Sequence, residues 1–472
     1  MPRVTLLFVL GVVSTSTFLS AQQPSLAGDW LGTLQAGPTE LRIVFHVTGE
    51  AGGYAATLDS PDQGVAGIPV AAVRVDGATV SMDIPSLRGR YEGTLAGDGT
   101  RLEGTWSQGG AVLPLVLSHT TEPIALPHRP QEPVEPVPYR SQDVRLPGGS
   151  PEVTLAGTLT LPEGNGPFPA VVLISGSGPQ NRNEELMGHR PFLVLADHFT
   201  RRGIAVLRYD DRGVGESTGA FGTATSLDFA DDALAAVRYL SSRTEIDAAR
   251  IGLVGHSEGG LIAPIVAADH DSVAFVVMMA GPGIPGSEIL ELQTGLILKA
   301  GGASSADVRR AVEATRELNE LIAASRDGQG LEERVRQRLE QRAAALSESE
   351  RQAAGVTPES LRAQAAQVTS PWFRFFLAYD PVPTLRRVQV PVLAINGSKD
   401  LQVPPRENLE AIGRALAAGG NADVSTEELP GLNHLFQTAG TGAPSEYAQI
   451  EETIAPVALD RMTRWILDRF GS

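Results

Sequence analysis

The chain has 472 residues, too many for one average core, and its 42% hydrophobic share is ordinary for globular protein, so two or three folded units are expected. A net charge of −17 argues against nucleic acid as a partner, because phosphate backbones need a basic face. The absence of cysteine excludes disulfides, thiolate zinc sites and a cysteine nucleophile.

Residues 1–21 read as an export signal. Arg3 supplies a positive start, Leu6 to Val13 is an apolar run too short to span a bilayer, and Leu19-Ser20-Ala21 offers small residues before Gln22. An uncleaved anchor is the weaker reading, since nothing basic follows the run. The expectation is a protein in a periplasm or outside the cell, with no membrane span after cleavage.

Residues 22–120 change to short alternating segments: Leu41 to Val47, Tyr54 to Leu58, Val70 to Val75, Thr79 to Ile84, Arg90 to Leu95, Arg101 to Trp106 and Val112 to Leu117. Turn pairs such as Asp76-Gly77 and Asp98-Gly99 separate them, which suits antiparallel hairpins in a small β-barrel or sandwich. Gly28-Asp29-Trp30-Leu31-Gly32 and Gly104-Thr105-Trp106 resemble lipocalin-like barrels. No acid, base or ligand constellation recurs there, so packing or substrate presentation is the favoured role. Residues 121–138, rich in proline, read as an extended, semi-rigid linker.

In residues 139–472 the period changes. After two short strands near Asp143 to Leu146 and Val153 to Leu161 come unbroken apolar runs at Ala170 to Ser175, Ile204 to Tyr209, Ile251 to Val254, Val273 to Met279 and Val392 to Ile395. Such runs suit parallel strands buried on both faces. Helical stretches at Phe192 to Arg202, Leu227 to Ser242 and Leu261 to Asp269 separate them. The pattern predicts a doubly wound α/β sheet with functional groups at the carboxyl ends of its strands.

Gly255-His256-Ser257-Glu258-Gly259 fits G-x-S-x-G between a strand and a helix, making Ser257 the candidate nucleophile. In a chain with 51 glycines the match alone is weak, and an ordinary glycine-rich turn is the competing reading. Gly176-Ser177-Gly178 follows another strand end. Its Ser177 N–H, with Gly176 as fallback, joins the Glu258 N–H as a candidate oxyanion hole; a plain glycine turn is the alternative. In this fold the order is nucleophile, acid, base, and only His270 and His434 follow the serine. His270 sits in a polar surface turn, so His434, after Leu429-Pro430-Gly431-Leu432-Asn433, is the candidate base. Asp400, after Val392 to Ile395 and a glycine turn, is the candidate acid that holds the imidazole tautomer, unless it merely pairs with Lys399.

GHSEGG at Gly255 to Gly260, YDDRGVGESTG at Tyr209 to Gly219, INGSKDLQVPP at Ile395 to Pro405 and LPGLNHLFQ at Leu429 to Gln437 together resemble the α/β-hydrolase superfamily, in its esterase branch close to serine aminopeptidase-type hydrolases. The resemblance runs from about Asp143 to Phe470. It implies Ser257, Asp400 and His434 as triad, Ser177 and Glu258 as oxyanion donors, and a leading antiparallel strand in an otherwise parallel eight-stranded sheet. The chain differs from many relatives in carrying Ser175 where a histidine often precedes the oxyanion glycine. Asp210, Asp211 and Arg212 resemble a bracing loop, and ion pairing suits them better than metal ligation.

Residues 285–370 are rich in Ala, Glu, Arg and Leu and read as a helical cap over the strand ends, or as a solvated helical embellishment. In the aromatic cluster Trp372, Phe373, Phe375, Phe376 and Tyr379, most are expected in the core and one or two in the substrate pocket. The chemistry expected is hydrolysis of a small-molecule carboxylic ester through an acyl-enzyme, with no metal or cofactor. The alternatives are a serine peptidase of aminopeptidase or dipeptidyl-peptidase type, with Glu258, Glu184 or Glu185 anchoring the peptide amine, and a noncatalytic carrier on the same fold.

Overall fold

A computed structural model describes residues 25–36, 39–50, 53–63, 65–108, 111–122, 128–325, 329–348, 351 and 356–471. The expected export signal at residues 1–21 lies outside them, as do positions 123–127 of the linker.

The N-terminal unit is one antiparallel sheet of nine strands: β1 (Gly28–Ala36), β2 (Thr39–Glu50), β3 (Gly53–Ser60), β4 (Val65–Val70), β5 (Ala72–Asp76), β6 (Thr79–Ile84), β7 (Gly89–Leu95), β8 (Arg101–Gln108) and β9 (Ala111–Thr120). Their order is β4-β3-β2-β1-β9-β8-β7-β6-β5, nearly closed into a barrel because the consecutive strands β4 and β5 form its two edges. Alternation supplies the interior: along β7, Gly89, Tyr91 and Gly93 are buried while Arg90, Glu92 and Thr94 face solvent. Trp30, Phe45, Met82, Tyr91 and Trp106 fill the core, and the Trp30 indole donates to the Leu26 carbonyl at 2.7 Å. The single strand expected over Val70 to Val75 is instead a corner, with β4 ending at Val70 and β5 starting at Ala72. β4 is mostly exposed, so it has no buried face to mark it in the sequence.

The second unit begins with β10 (Arg140–Pro147), β11 (Thr154–Leu161) and β12 (Phe168–Ile174), then α1 (Pro191–Thr200), β13 (Ala205–Tyr209), α2 (Ser226–Ser241), β14 (Ile246–His256), α3 (Glu258–Asp269) and β15 (Phe275–Met279). Helices α4 (Gly286–Ala300), α5 (Ser305–Ala323), α6 (Leu331–Ala344), α7 (Pro358–Val368), α8 (Pro371–Ala378) and α9 (Val382–Leu385) follow. The chain closes with β16 (Val392–Gly397), α10 (Pro405–Ala418), β17 (Val424–Leu429) and α11 (Pro456–Phe470).

The eight strands run β10-β11-β13-β12-β14-β15-β16-β17 in an α/β-hydrolase sheet. One expectation is corrected. The antiparallel strand is the second, β11, which runs against both β10 and β13, and not the leading one. Direction depends on which strand pairs with which, and the short segments at Asp143 and Val153 carry no mark of it. Alternate residues of β12 enter different cores: Val172 and Ile174 pack with α2, α3 and α10, while Val171 and Leu173 pack with α1 and α11. Burial on both faces is why these strands read as unbroken apolar runs.

Helices α4 to α8 form a covering layer with its own apolar centre of Ile322, Leu331, Val335, Leu339, Ala365 and Leu377. The described part of the proline-rich connector is tied down. Arg129 donates to the carbonyls of Gly188, Met187, Ala448 and Ile450, and Gln131 donates to that of Ile454.

Candidate active site

Ser257 occupies the corner between β14 and α3 with φ of 53°, a left-handed conformation strained for a residue with a Cβ. Its N–H is anchored to the Met279 carbonyl at 2.8 Å. The two motif glycines are required by contact. A Cβ on Gly255 would lie 2.0 Å from the Gly259 carbonyl oxygen, and one on Gly259 would lie 2.0 Å from that of Ile174. Strand, corner and helix pass too closely for any side chain there.

Asp400 follows β16 and is fully buried. Its Oδ1 accepts the Gln402 and Val403 N–H groups at 2.8 and 2.9 Å, and its Oδ2 accepts from His434 Nδ1 at 2.8 Å. The pairing with Lys399 does not occur: that ammonium donates to the carbonyls of Ala439 and Gly440. With Nδ1–H committed to the carboxylate, Nε2 of His434 is the nitrogen left to accept a proton. Asn433 shapes this loop, its Oδ1 accepting from the N–H groups of Leu435 and Gln437. His270 caps the far end of α3, away from Ser257.

Ser177, Ser257, Glu258 and His434 line one cavity of about 330 Å³, with Asp400 behind the imidazole. Among the described residues, no hydrogen bond joins the Ser257 hydroxyl to the His434 ring, although both line the same cavity. The two oxyanion candidates differ in availability. Gly176 N–H is taken by Glu184 Oε1 at 2.6 Å, whereas the N–H groups of Ser177 and Glu258 have no protein acceptor among the described residues.

The walls come from the covering layer. Ile289, Leu290 and Gln293 of α4, Gln367 of α7, and Trp372, Phe373 and Phe376 of α8 face the serine. Three of the five clustered aromatics therefore line the cavity, more than expected, because α8 forms part of its wall. Trp372 and Phe376 stack at 5.5 Å, while Phe375 stacks on Tyr379 elsewhere.

Four buried acids surround this centre, and sequence reasoning gave most of them too small a part. The Glu258 carboxylate accepts from Ser226 Oγ at 2.6 Å, from Trp372 Nε1 at 2.7 Å and from the Ser177 side chain; burial nevertheless raises its pKa. Asp211 braces the loop that carries the oxyanion candidate Ser177, accepting the Ser175 hydroxyl at 2.8 Å and Gln180 N–H at 3.0 Å, so Ser175 anchors that loop. Asp210 pairs with Arg182 at 2.7 Å and Arg212 with Asp232 at 2.7 Å, which makes the Asp210 to Arg212 loop an ion-paired brace. Glu184 contacts both Gly176 and His256, and His256 contacts the His434 carbonyl. No local pattern marked His256, since it is the variable position inside G-x-S-x-G.

The profile of the X-Pro dipeptidyl-peptidase (S15 family) matches residues 149–418, more than half of the chain. The chain belongs to that family. Esterase EstD of Thermotoga maritima is 28% identical to this S15-family chain over 335 residues, 71% of this chain and 69% of EstD. An uncharacterized 31.7 kDa protein from the traX-finO intergenic region of Escherichia coli is 33% identical over 108 residues, 22% of this chain and 35% of that one. Among solved structures, the α/β hydrolase GrgF from Penicillium sp. sh18 aligns with a TM-score of 0.46 at 17% identity, over 71% of this chain and 100% of its own. The Pyrococcus furiosus esterase Pf2001 aligns with a TM-score of 0.40 at 16% identity, over 71% and 94%. The S15-family chain is an enzyme of the serine α/β-hydrolase type.

Proposed function

We propose that this hydrolase cleaves small carboxylic esters through an acyl-serine intermediate, with Ser257 as nucleophile, His434 as base, Asp400 as its orienting acid and the N–H groups of Ser177 and Glu258 as oxyanion donors. The observation that carries the reading is the buried Asp400–His434 pair opening onto the same cavity as the strained Ser257 corner. His434 Nε2 takes the Ser257 proton as Oγ bonds to the ester carbonyl carbon, and the oxyanion accepts the two N–H groups. The tetrahedral species collapses, the carbon–oxygen bond to the alcohol breaks, and Nε2–H returns the proton to that alcohol. Water then loses a proton to Nε2 and attacks the acyl carbon; Ser257 leaves with the proton, and the acid is released.

Membership of a dipeptidyl-peptidase family supports amide cleavage as the second reading. Three observations favour esters. A peptide amine needs a free carboxylate in the cavity, yet Glu184 is engaged by Gly176 and His256, Glu258 by Ser226 and Trp372, and Glu185, which accepts from Asn181 Nδ2 at 3.1 Å, is not among the lining residues. The walls from α4, α7 and α8 are uncharged, Ile289, Leu290, Trp372, Phe373 and Phe376 beside Gln293 and Gln367, and suit a neutral acyl group; the relative EstD carries the name esterase. Export to a periplasm or beyond is proposed on Met1 to Ala21 alone, and N-terminal sequencing of the mature protein tests it.

Ser257→Ala is expected to lower p-nitrophenyl butyrate turnover by at least about 10³-fold in a folded protein. Retained turnover refutes the acyl-serine route. Faster cleavage of Xaa-Pro p-nitroanilides than of p-nitrophenyl esters in the unaltered enzyme assigns it as a peptidase instead.

A further inference from the structure

Three chain segments that carry separate parts of the proposed machinery converge on one pair of buried side chains. Glu184 Oε1 accepts the Gly176 N–H at 2.6 Å, on the loop that presents Ser177. The same oxygen lies 2.9 Å from His256 Nδ1, on the residue just before Ser257. The opposite ring nitrogen of His256, Nε2, lies 3.0 Å from the backbone carbonyl oxygen of His434. Both partners of this imidazole are acceptors: a carboxylate already serving an amide, and a carbonyl. A neutral imidazole has one N–H to give, so with Glu184 ionised, satisfying both partners takes the doubly protonated ring.

We propose that Glu184 and His256 are positioning residues, a buried carboxylate–imidazolium relay that holds the oxyanion loop and the base-bearing loop in register with the nucleophile. The proposal rests on the acyl-serine reading above. Burial opposes a charged His256, but the Glu184 charge and hydrogen bond, the His434 carbonyl and the Asp400 charge outweigh it, and its pKa is raised. The His434 ring stands 4.9 Å away centroid to centroid, and Asp211 and Glu258 add acidic groups nearby, the charge of Glu184 being felt at Asp211. Glu184 is itself held in a left-handed conformation with φ of 50°, its N–H donated to the Asn181 carbonyl at 2.8 Å. The backbone is thus bent to deliver this carboxylate. Loss of one proton from His256 would set a lone pair against an acceptor and release one of the two loops. That lengthens the path between Ser257 and His434 and leaves the cavity walls supplied by α4, α7 and α8 in place.

Glu184→Gln keeps the shape and the acceptor for Gly176 but removes the charge. It is expected to lower kcat for p-nitrophenyl butyrate roughly 10- to 100-fold, the scale of a small misplacement of reacting groups, with KM within about threefold. The alkaline limb of its kcat/KM profile is expected to move about one unit or more toward acid pH. In the unaltered protein, ¹⁵N-histidine NMR is expected to show both His256 nitrogens protonated at neutral pH, the resonances assigned by their loss in His256→Gln. A Glu184→Gln enzyme with unchanged kcat and alkaline limb overturns the relay, and so does a singly protonated His256. If Glu184→Gln does not fold, the NMR measurement decides. Turnover retained by Ser257→Ala refutes the acyl-serine reading, whereas a dead Ser257→Ala beside an unaffected Glu184→Gln refutes only the relay.

Discussion

At Asp211, burial raises the carboxyl pKa to about 8 from its ordinary 3.8; hydrogen bonds from Gln180 N–H and Ser175 oppose the rise, and the Glu258 and Glu184 charges add to it. The folded chain therefore keeps a proton that the unfolded chain has lost between those values. The resulting stabilisation is complete below about pH 3.8 and is lost as pH rises to about 8. Asp211→Asn, which cannot titrate, is expected to flatten the fall of Tm over that window. Calorimetry of both proteins at pH 5 and pH 8.5 checks this, and equal slopes would place the proton elsewhere. At Asp400 the expected effect is on rate. Asp400→Asn retains an acceptor for the Gln402 and Val403 N–H groups but turns an amide toward Nδ1 of His434, favouring the wrong tautomer. Its kcat is expected to fall roughly 10⁴-fold with little change in Tm.

The strand–corner–helix element formed by β14 and α3 is where local sequence and tertiary packing agree most closely. Gly255 and Gly259 are set by contacts to backbone, and backbone cannot step aside as a flexible side chain can. Gly259→Ala forces β12 away from α3 at Ile174 and is expected to destabilise the fold by about 3 kcal/mol, measured as a shift of the urea midpoint. Helix α8 acts differently, because it closes the cavity without belonging to the sheet. Phe376→Ala removes one stacked wall and should move the ester preference toward longer acyl chains, read from a chain-length panel. An unchanged profile would mean that the acyl group lies against other walls.

At the scale of the whole molecule, the described part of the connector, from residue 128 on, is part of the packing of the hydrolase unit. One guanidinium, Arg129, reaches carbonyls at Met187 and Gly188 before α1 and at Ala448 and Ile450 before α11. It therefore joins two loops separated by most of the chain. Arg129→Ala removes all four bonds and is expected to cost about 2 kcal/mol or more, with faster protease cleavage of the connector. Unaltered proteolysis would show that Gln131 and the Glu132–Arg190 pair suffice.

The strands buried on both faces, the helices between them and the G-x-S-x-G corner were legible because each is written in local hydrophobic period or, for Gly255 against Gly259, in a contact within five residues; the Gly259 contact with Ile174 was not. Ser257 and Asp400 could be selected as candidates because each follows a recognisable strand, and His434 because the order of parts left only two histidines to weigh. Neighbourhood was not legible. That β11 is the antiparallel strand of the eight-stranded sheet, that β4 and β5 are the two edges of one barrel, and that α8 lays Trp372 against Glu258 all follow from pairings between distant segments. The Glu184–His256–His434 chain spans separations of 72 and 178 residues, and only the adjacency of β12 to β14, with β15 to β17 beyond, brings its members together. A local pattern records which face of an element is buried; the partner that buries it is decided when the sheet closes.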